Sequence, residues 1–137
     1  MNDYQKPLPD INDENRPFWE AAGNGKLFLP KCLDCGEFRF PPAHLCPHCL
    51  SMSSEWVEVS GRGRIHTWTV FHQVYHPAYK EDVPYNVAVI KLEEGPQLIS
   101  NVVDCKNNDI YLDMTVEVVF DRINEEVTLP RFRPTGG

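Results

Sequence analysis

Four of the five cysteines stand as two Cys-x2-Cys pairs, Cys32/Cys35 and Cys46/Cys49, in KCLDCGEFRFPPAHLCPHCL, with ten residues between the pairs. A Cys-x2-Cys turn brings two sulfurs to one side of a tight bend, and two such knuckles facing each other enclose a tetrahedral four-thiolate site. That donor set suits zinc, and it also suits a single iron. Gly36 follows the first pair and Pro47 sits inside the second, so both bends have suitable turn chemistry. The competing readings are a pair of disulfides or four plain thiols. His44 and His48 could each replace a sulfur, but four cysteines already fill the coordination shell. A closed four-sulfur site leaves no open position for substrate. The ion expected here therefore holds structure and does no chemistry.

Other candidate chemistry is thinner. In a strand over 63–74, Arg62, Arg64, His66, Trp68, Val70 and His72 share one face, and Ile65, Thr67, Thr69 and Phe71 the other. The first face reads as an anion-binding wall with Trp68 stacking on a base, or as an ordinary solvated face. The following loop, HQVYHPAYKEDVPY, carries His72, Tyr75, His76, Tyr79 and Tyr85. Aromatics gathered in a loop point to contact with a ligand or protein, or to a loop folded onto its own barrel. Pro77 argues against a helix that would let His72 and His76 chelate a metal. Near the C-terminus Arg131 and Arg133 flank Phe132, and arginine forks suit phosphates; plain surface charge is the alternative. The candidate ligand or partner contacts are thus Trp68, His72, His76, Tyr79, Arg131, Phe132 and Arg133. Cys105 stands alone and reads as an inert thiol. No Ser-His-Asp pattern, Gly-rich phosphate loop or paired carboxylates are visible, and DINDEN and KNND lack a full calcium-loop pattern.

These residues need elements to position them. A chain of 137 residues makes one domain, or one with a small appendage. The expected division is an arm and helix over 1–25, the metal region over 26–55 and a β-rich part over 56–137. Residues 1–15 are polar and read as an extended arm. In RPFWEAAGNGKL, Pro17 fits the first helical position and Gly25 a stop, with Phe18, Trp19 and Ala22 on one face. That face must dock on the chain's own body or on a partner subunit. Lys26–Pro30 reads as a strand into the first knuckle, and Phe38 and Phe40 alternate on the strand leaving it. The metal region is too short for its own apolar core; a bound zinc supplies about 10–16 kcal/mol in isolated fingers. Five strands follow, over Gly63–Val74, Asn86–Leu92, Leu98–Val103, Thr115–Phe120 and Glu126–Arg131. The expected fold is mainly β: an N-terminal helix, the metal knuckles and a small five-stranded Greek-key barrel of the OB type, with a sandwich as the alternative. Gly61 and Gly63 would permit the bend that barrel closure needs.

The net charge of -7 repels nucleic acid in general, and four thiolates around a divalent ion make it more negative still. OB barrels and zinc ribbons do bind single strands, through stacking aromatics and basic grooves, but no dense Lys/Arg stripe is present. No basic-then-apolar leader opens the chain and no apolar run approaches membrane-spanning length, so a cytoplasmic, non-membrane protein is expected.

The order of the parts carries a resemblance. RPFWEAAGNGKL, KCLDCGEFRFPPAHLCPHC, EWVEVSGRGRIHTWTV, HPAY, PYNVAVIKLEEGP and LPRFRP, in series over 16–134, resemble the zinc-ribbon plus OB-fold proteins found beside thiolases in acyl-CoA metabolism. The resemblance implies a rubredoxin-like ribbon with structural zinc on Cys32, Cys35, Cys46 and Cys49. It implies a small subunit that is not an enzyme on its own and that forms a hetero-oligomer with a thiolase-like catalytic subunit. Such partners act as thiolases, acyltransferases or acyl-CoA aldolases, and some members accompany hydratases. The complex would bind a CoA ester, with the barrel loops and the Arg-bearing tail near its nucleotide or pantetheine arm. A stand-alone acyl-CoA-binding protein is a further alternative.

Overall fold

The computed structural model describes residues 8–73, 77–79 and 83–135. Tyr75, His76 and the side chain of Tyr79 lie outside that description. The segment before the helix is turned by Asn12. Its side-chain oxygen accepts the N–H groups of Glu14 at 2.9 Å and Asn15 at 3.1 Å, and its carbonyl accepts Arg16 N–H at 2.9 Å. Helix α1, Arg16–Gly23, then runs for two turns. It stops because Gly25 adopts φ +73°, which lets Lys26 N–H reach Ala21 C=O at 2.9 Å and Gly25 N–H reach Ala22 C=O at 3.0 Å. Phe18 and Ala22 are buried, and Trp19 sits edge-on to Phe18 at 4.9 Å. The aromatic face is covered by the chain itself: α1 packs on β1 (Phe28–Cys32), β6 (Thr115–Arg122) and β7 (Thr128–Pro134).

Strand β1 pairs antiparallel with β2 (Ser54–Glu58), from Phe28 opposite Glu58 to Cys32 opposite Ser54. Residues 54–58 therefore close the metal region's own sheet, and β2 spans the boundary expected at 55/56. The strand expected through Phe38 and Phe40 is a single bridge, Lys31 to Phe38, with both rings packed on the core. The second sheet has the order β5-β4-β3-β6-β7, with β3 at Arg62–Phe71, β4 at Tyr85–Leu92 and β5 at Gln97–Ser100. It curls until its edges meet. Val103 N–H donates to Phe132 C=O at 2.7 Å, Phe132 N–H donates to Asn101 C=O at 3.0 Å, and Ser100 Oγ donates to Pro130 C=O at 2.9 Å. This is the OB-type barrel, and the protein is mainly β with one N-terminal helix. Crowding at the curl excludes side chains: a Cβ on Gly63 would lie 2.5 Å from the carbonyl oxygen of Lys91.

One apolar core runs through all parts. Ile65, Ala88, Ile90, Leu92, Leu98, Val116 and Phe132 fill the barrel, and Phe18, Leu27, Leu29 and Val59 continue it under the helix and the small sheet. Buried Asn86 stitches β4 to the chain after β5. It donates to Val102 C=O at 2.9 Å and accepts Val102 N–H at 2.7 Å. Arg39 is only 4 % exposed, and its three guanidinium nitrogens find no hydrogen-bond partner among the described residues. A buried cation without an acceptor is costly. Arg39→Met is therefore expected to hold or raise the urea midpoint, with a gain of up to about 1–4 kcal/mol. A large drop would show that an acceptor outside the described residues holds the guanidinium.

Strand β3 departs from the expected alternation. The pairing with β4 runs Gly63–Leu92, Arg64–Lys91, Ile65–Ile90, then slips, so that Thr67 faces Val89 and Trp68 faces Ala88. His66 is the extra residue of a β-bulge, which turns the faces over. Ile65 lies inside before the bulge, and Trp68 lies toward the core after it. The wall of two arginines, two histidines and a tryptophan does not exist. Arg64 lies outside, Trp68 packs against the barrel core, and His72 is exposed beyond the strand end. β3 also stops at Phe71, short of the expected Val74.

Candidate metal centre

Two turns of near-identical backbone build the thiol cluster. In the first, Cys32 N–H donates to Glu37 C=O at 2.9 Å and Gly36 N–H to Cys32 C=O at 3.0 Å. In the second, Cys46 N–H donates to Ser51 C=O and Leu50 N–H to Cys46 C=O, both at 2.9 Å. The residue after each pair must turn left-handed: Gly36 has φ +79° and Leu50 φ +64°. Glycine adopts this freely, whereas a side chain raises its energy by roughly 1–2 kcal/mol. Leu50 is 69 % exposed and gains little burial in return. Leu50→Gly is expected to stabilise the metal-loaded protein by about 1 kcal/mol, read as a rise in melting temperature.

The first cysteine of each pair is buried and the second is exposed. The four Sγ atoms lie within 4.8 Å of one another, with Cys32–Cys49 at 3.5 Å and Cys35–Cys46 at 3.6 Å. These gaps exceed a disulfide bond of about 2.05 Å. They match the roughly 3.8 Å edge of a tetrahedron with Zn–S bonds of about 2.3 Å. No histidine joins the cluster among the described residues. His44 instead uses its backbone N–H to hold the Glu14 carboxylate at 3.0 Å, which ties the N-terminal segment to the knuckles.

The electrostatics fit a cation. The Cys35 N–H, 3.4 Å from Cys32 Sγ, brings the Cys32 thiol down to about 6 against the pull of burial. Burial pushes Cys46 up, but the N–H groups of Cys49 and His48 outweigh it and lower its pKa. For Cys35, the Glu37 N–H pulls downward, and burial with the Cys32 and Cys46 thiols turns the balance upward. For Cys49, the Ser51 N–H also pulls downward, but the Cys32 thiol and burial drive it up to about 12. Two of the four thiols are shifted down and two up, each further thiolate being opposed by those already present. A divalent ion at the centre removes that opposition.

The remaining sequence-derived contacts do not converge. Phe132 is fully buried at the centre of the barrel core and has no face to offer a ligand. Arg131 and Arg133 lie within β7 and are engaged: Arg131 Nε donates to Asp121 at 2.9 Å, and Arg133 Nε donates to Glu117 at 3.0 Å. His76 and the side chain of Tyr79 lie outside the description. What the fold does gather is Arg62, Arg64, His66 and Lys91 around an open cleft of about 770 Å³, which Glu93 and Asp113 also line. Lys91 was not legible as a member, because only the register shows it opposite Arg64.

The chain is thus an N-terminal helix, a ribbon with four clustered cysteines and a five-stranded OB barrel, and no helix among the described residues is long and apolar enough to cross a bilayer. The ChsH2 rubredoxin-like zinc ribbon domain matches residues 19–53, and the ChsH2 C-terminal OB-fold domain matches residues 56–121. The chain belongs to this ChsH2/DUF35 family of zinc-ribbon and OB-fold proteins. A DUF35 domain-containing scaffold protein of Methanocaldococcus jannaschii is 39 % identical over 70 % of this chain and 68 % of its own length. A probable enoyl-CoA hydratase alpha subunit of Thermomonospora curvata is 37 % identical over 94 % of this chain, which spans only 40 % of that relative. Among solved structures, a chain of the Ltp2-ChsH2(DUF35) aldolase superposes with a TM-score of 0.82 at 37 % identity, covering 93 % of this chain and 98 % of that one.

Proposed function

We propose that this chain is a non-catalytic subunit of a thiolase-type complex acting on acyl-CoA or acyl thioester substrates. The observation that carries the reading is the near end-to-end match to the DUF35 chain of an aldolase. The relatives named as scaffold proteins and as a hydratase alpha subunit support it. The site agrees: a closed four-thiolate centre offers no position for substrate. In this reading the partner supplies the nucleophilic cysteine and the acid–base residues, in the cytoplasm. This chain completes the assembly and shapes the channel that holds the CoA arm, lowering the entropic cost of aligning the thioester. Arg131 and Arg133 pair with Asp121 and Glu117, so a CoA phosphate would have to compete with those carboxylates for them; the CoA ester is assigned to the complex as a whole.

The test is reconstitution. Turnover is measured for this chain, for its thiolase-like partner, and for both together. Activity is expected only, or far more strongly, in the mixture. Turnover by this chain alone, or full turnover by the partner alone, refutes the proposal.

A further inference from the structure

We infer that the outer face of β3, β4 and β5 is where the catalytic partner docks, through an apolar centre and a cationic end that meets carboxylates. The inference rests on the accessory-subunit reading and adds the surface that serves it.

At its centre, from Val87 to Ile90, strand β4 is apolar on both sides. Ala88, Ile90 and Leu92 point into the barrel, yet Val87 and Val89 face outward and are only half-buried. An antiparallel strand with one solvated face should alternate apolar with polar. Ile99 of β5 stands directly opposite Val89 and is 70 % exposed. These three β-branched side chains make a continuous patch across two strands. In an OB barrel the second and third strands, here β4 and β5, form the general ligand-binding face. A single-strand binder would offer free stacking rings; the two rings on this face, Phe71 and Tyr85, stack on each other at 5.3 Å at its far end, and its centre is valine and isoleucine, which fit a protein surface.

The charge at one end sets the partner's chemistry. Arg64 and Lys91 face each other in the next row of the same sheet face. Arg62 nearby is already matched by Glu93 at 3.7 Å, but neither Arg64 nor Lys91 has an ion-pair partner among the described residues. Glu93 and Asp113 line the same cleft, so the three cations Arg62, Arg64 and Lys91 outnumber the carboxylates there by one, on a chain of net charge -7. The complementary surface is apolar in its middle and brings acidic side chains to Arg64 and Lys91. Other large apolar side chains are exposed on the ribbon, Leu33, Leu45, Leu50 and Met52, and between β5 and β6, Tyr111 and Leu112; the ribbon set is the competing face.

The experiment uses the thiolase-like protein that co-purifies with the full chain from its native host, identified by mass and then produced separately as the probe. Affinity is measured for wild type, Ile99→Asp, the double variant Arg64→Glu with Lys91→Glu, and Leu50→Asp with Met52→Asp. Each variant's melting temperature is checked first; Ile99 is exposed enough for the fold to tolerate the change. Ile99→Asp is expected to weaken binding by about 30-fold or more, the scale of an interface hot spot. The charge-reversed variant is expected to weaken it and to abolish its salt dependence. Wild-type affinity in Ile99→Asp, with loss in the ribbon variant, overturns this inference and leaves the accessory function standing. If Ile99→Asp instead dissolves a dimer of this chain alone, the face serves self-association and the inference fails. If wild type captures no thiolase-like protein, both readings fall.

Discussion

Stripping the ion with a strong chelator, or replacing Cys32 and Cys46 with serine, is expected to unfold residues 33–53 outright. Within that stretch the only buried side chains are Arg39 and Cys46; Phe38 and Phe40 lean half-buried on the main core, so few apolar contacts back the fold there. Besides the four sulfurs, the two knuckles are tied together by the hydrogen bond from Ser51 Oγ to Asp34 and by Leu33 N–H donating to Ser53 C=O at 2.9 Å. In isolated fingers such an ion supplies about 10–16 kcal/mol, far more than two turns of backbone hydrogen bonds at about 1 kcal/mol each. Limited proteolysis should cut between 33 and 53 after chelation and spare the segment before it. Acid should act in the same direction, since protons compete with the ion for the thiolates. Cobalt substitution gives a direct readout through its thiolate charge-transfer bands. A chelated protein that resists protease and melts unchanged would remove the metal from the account.

Phe132→Ala is the second large effect, expected to cost about 3–5 kcal/mol. The ring is fully buried, and its backbone forms two of the hydrogen bonds that close the barrel between β7 and the chain around the end of β5. Truncating it empties the centre of the core at the seam where the sheet meets itself. Its neighbours should behave differently. Arg133 pairs with Glu117 at the surface, with about half its side chain exposed, so Arg133→Ala is expected within about 1 kcal/mol of wild type. Urea midpoints for the two variants decide the matter. Equal, small losses for both would mean that Phe132 is not the closing element described above.

The ribbon was legible because its information is local. Two Cys-x2-Cys pairs fix a geometry within twenty residues, and the sulfurs came together as their spacing requires. The helix stop at Gly25 and the five barrel strands were readable for the same reason, from punctuation close by in the chain. Two errors came from information that is not local. The bulge at His66 is an agreement between β3 and β4 about register, and nothing within HTWTVF announces it. The reading of Phe132 as a contact took Arg131 and Arg133 as its company. In a strand, however, Arg-Phe-Arg means that the ring points opposite to the charges, into the core. The cleft that unites Arg64 with Lys91 spans two strands and needed their pairing to be seen.

Only Val59, Ser60 and Gly61 separate β2 from β3, and α1 lies against both sheets. The two modules therefore lack an independent swivel; the helix is the wedge that sets the angle between them. Anyone exchanging ribbons among relatives should move residues 16–58 as one block. A transplant of the cysteine loops alone would arrive without its wedge and sit on the barrel at an unset angle.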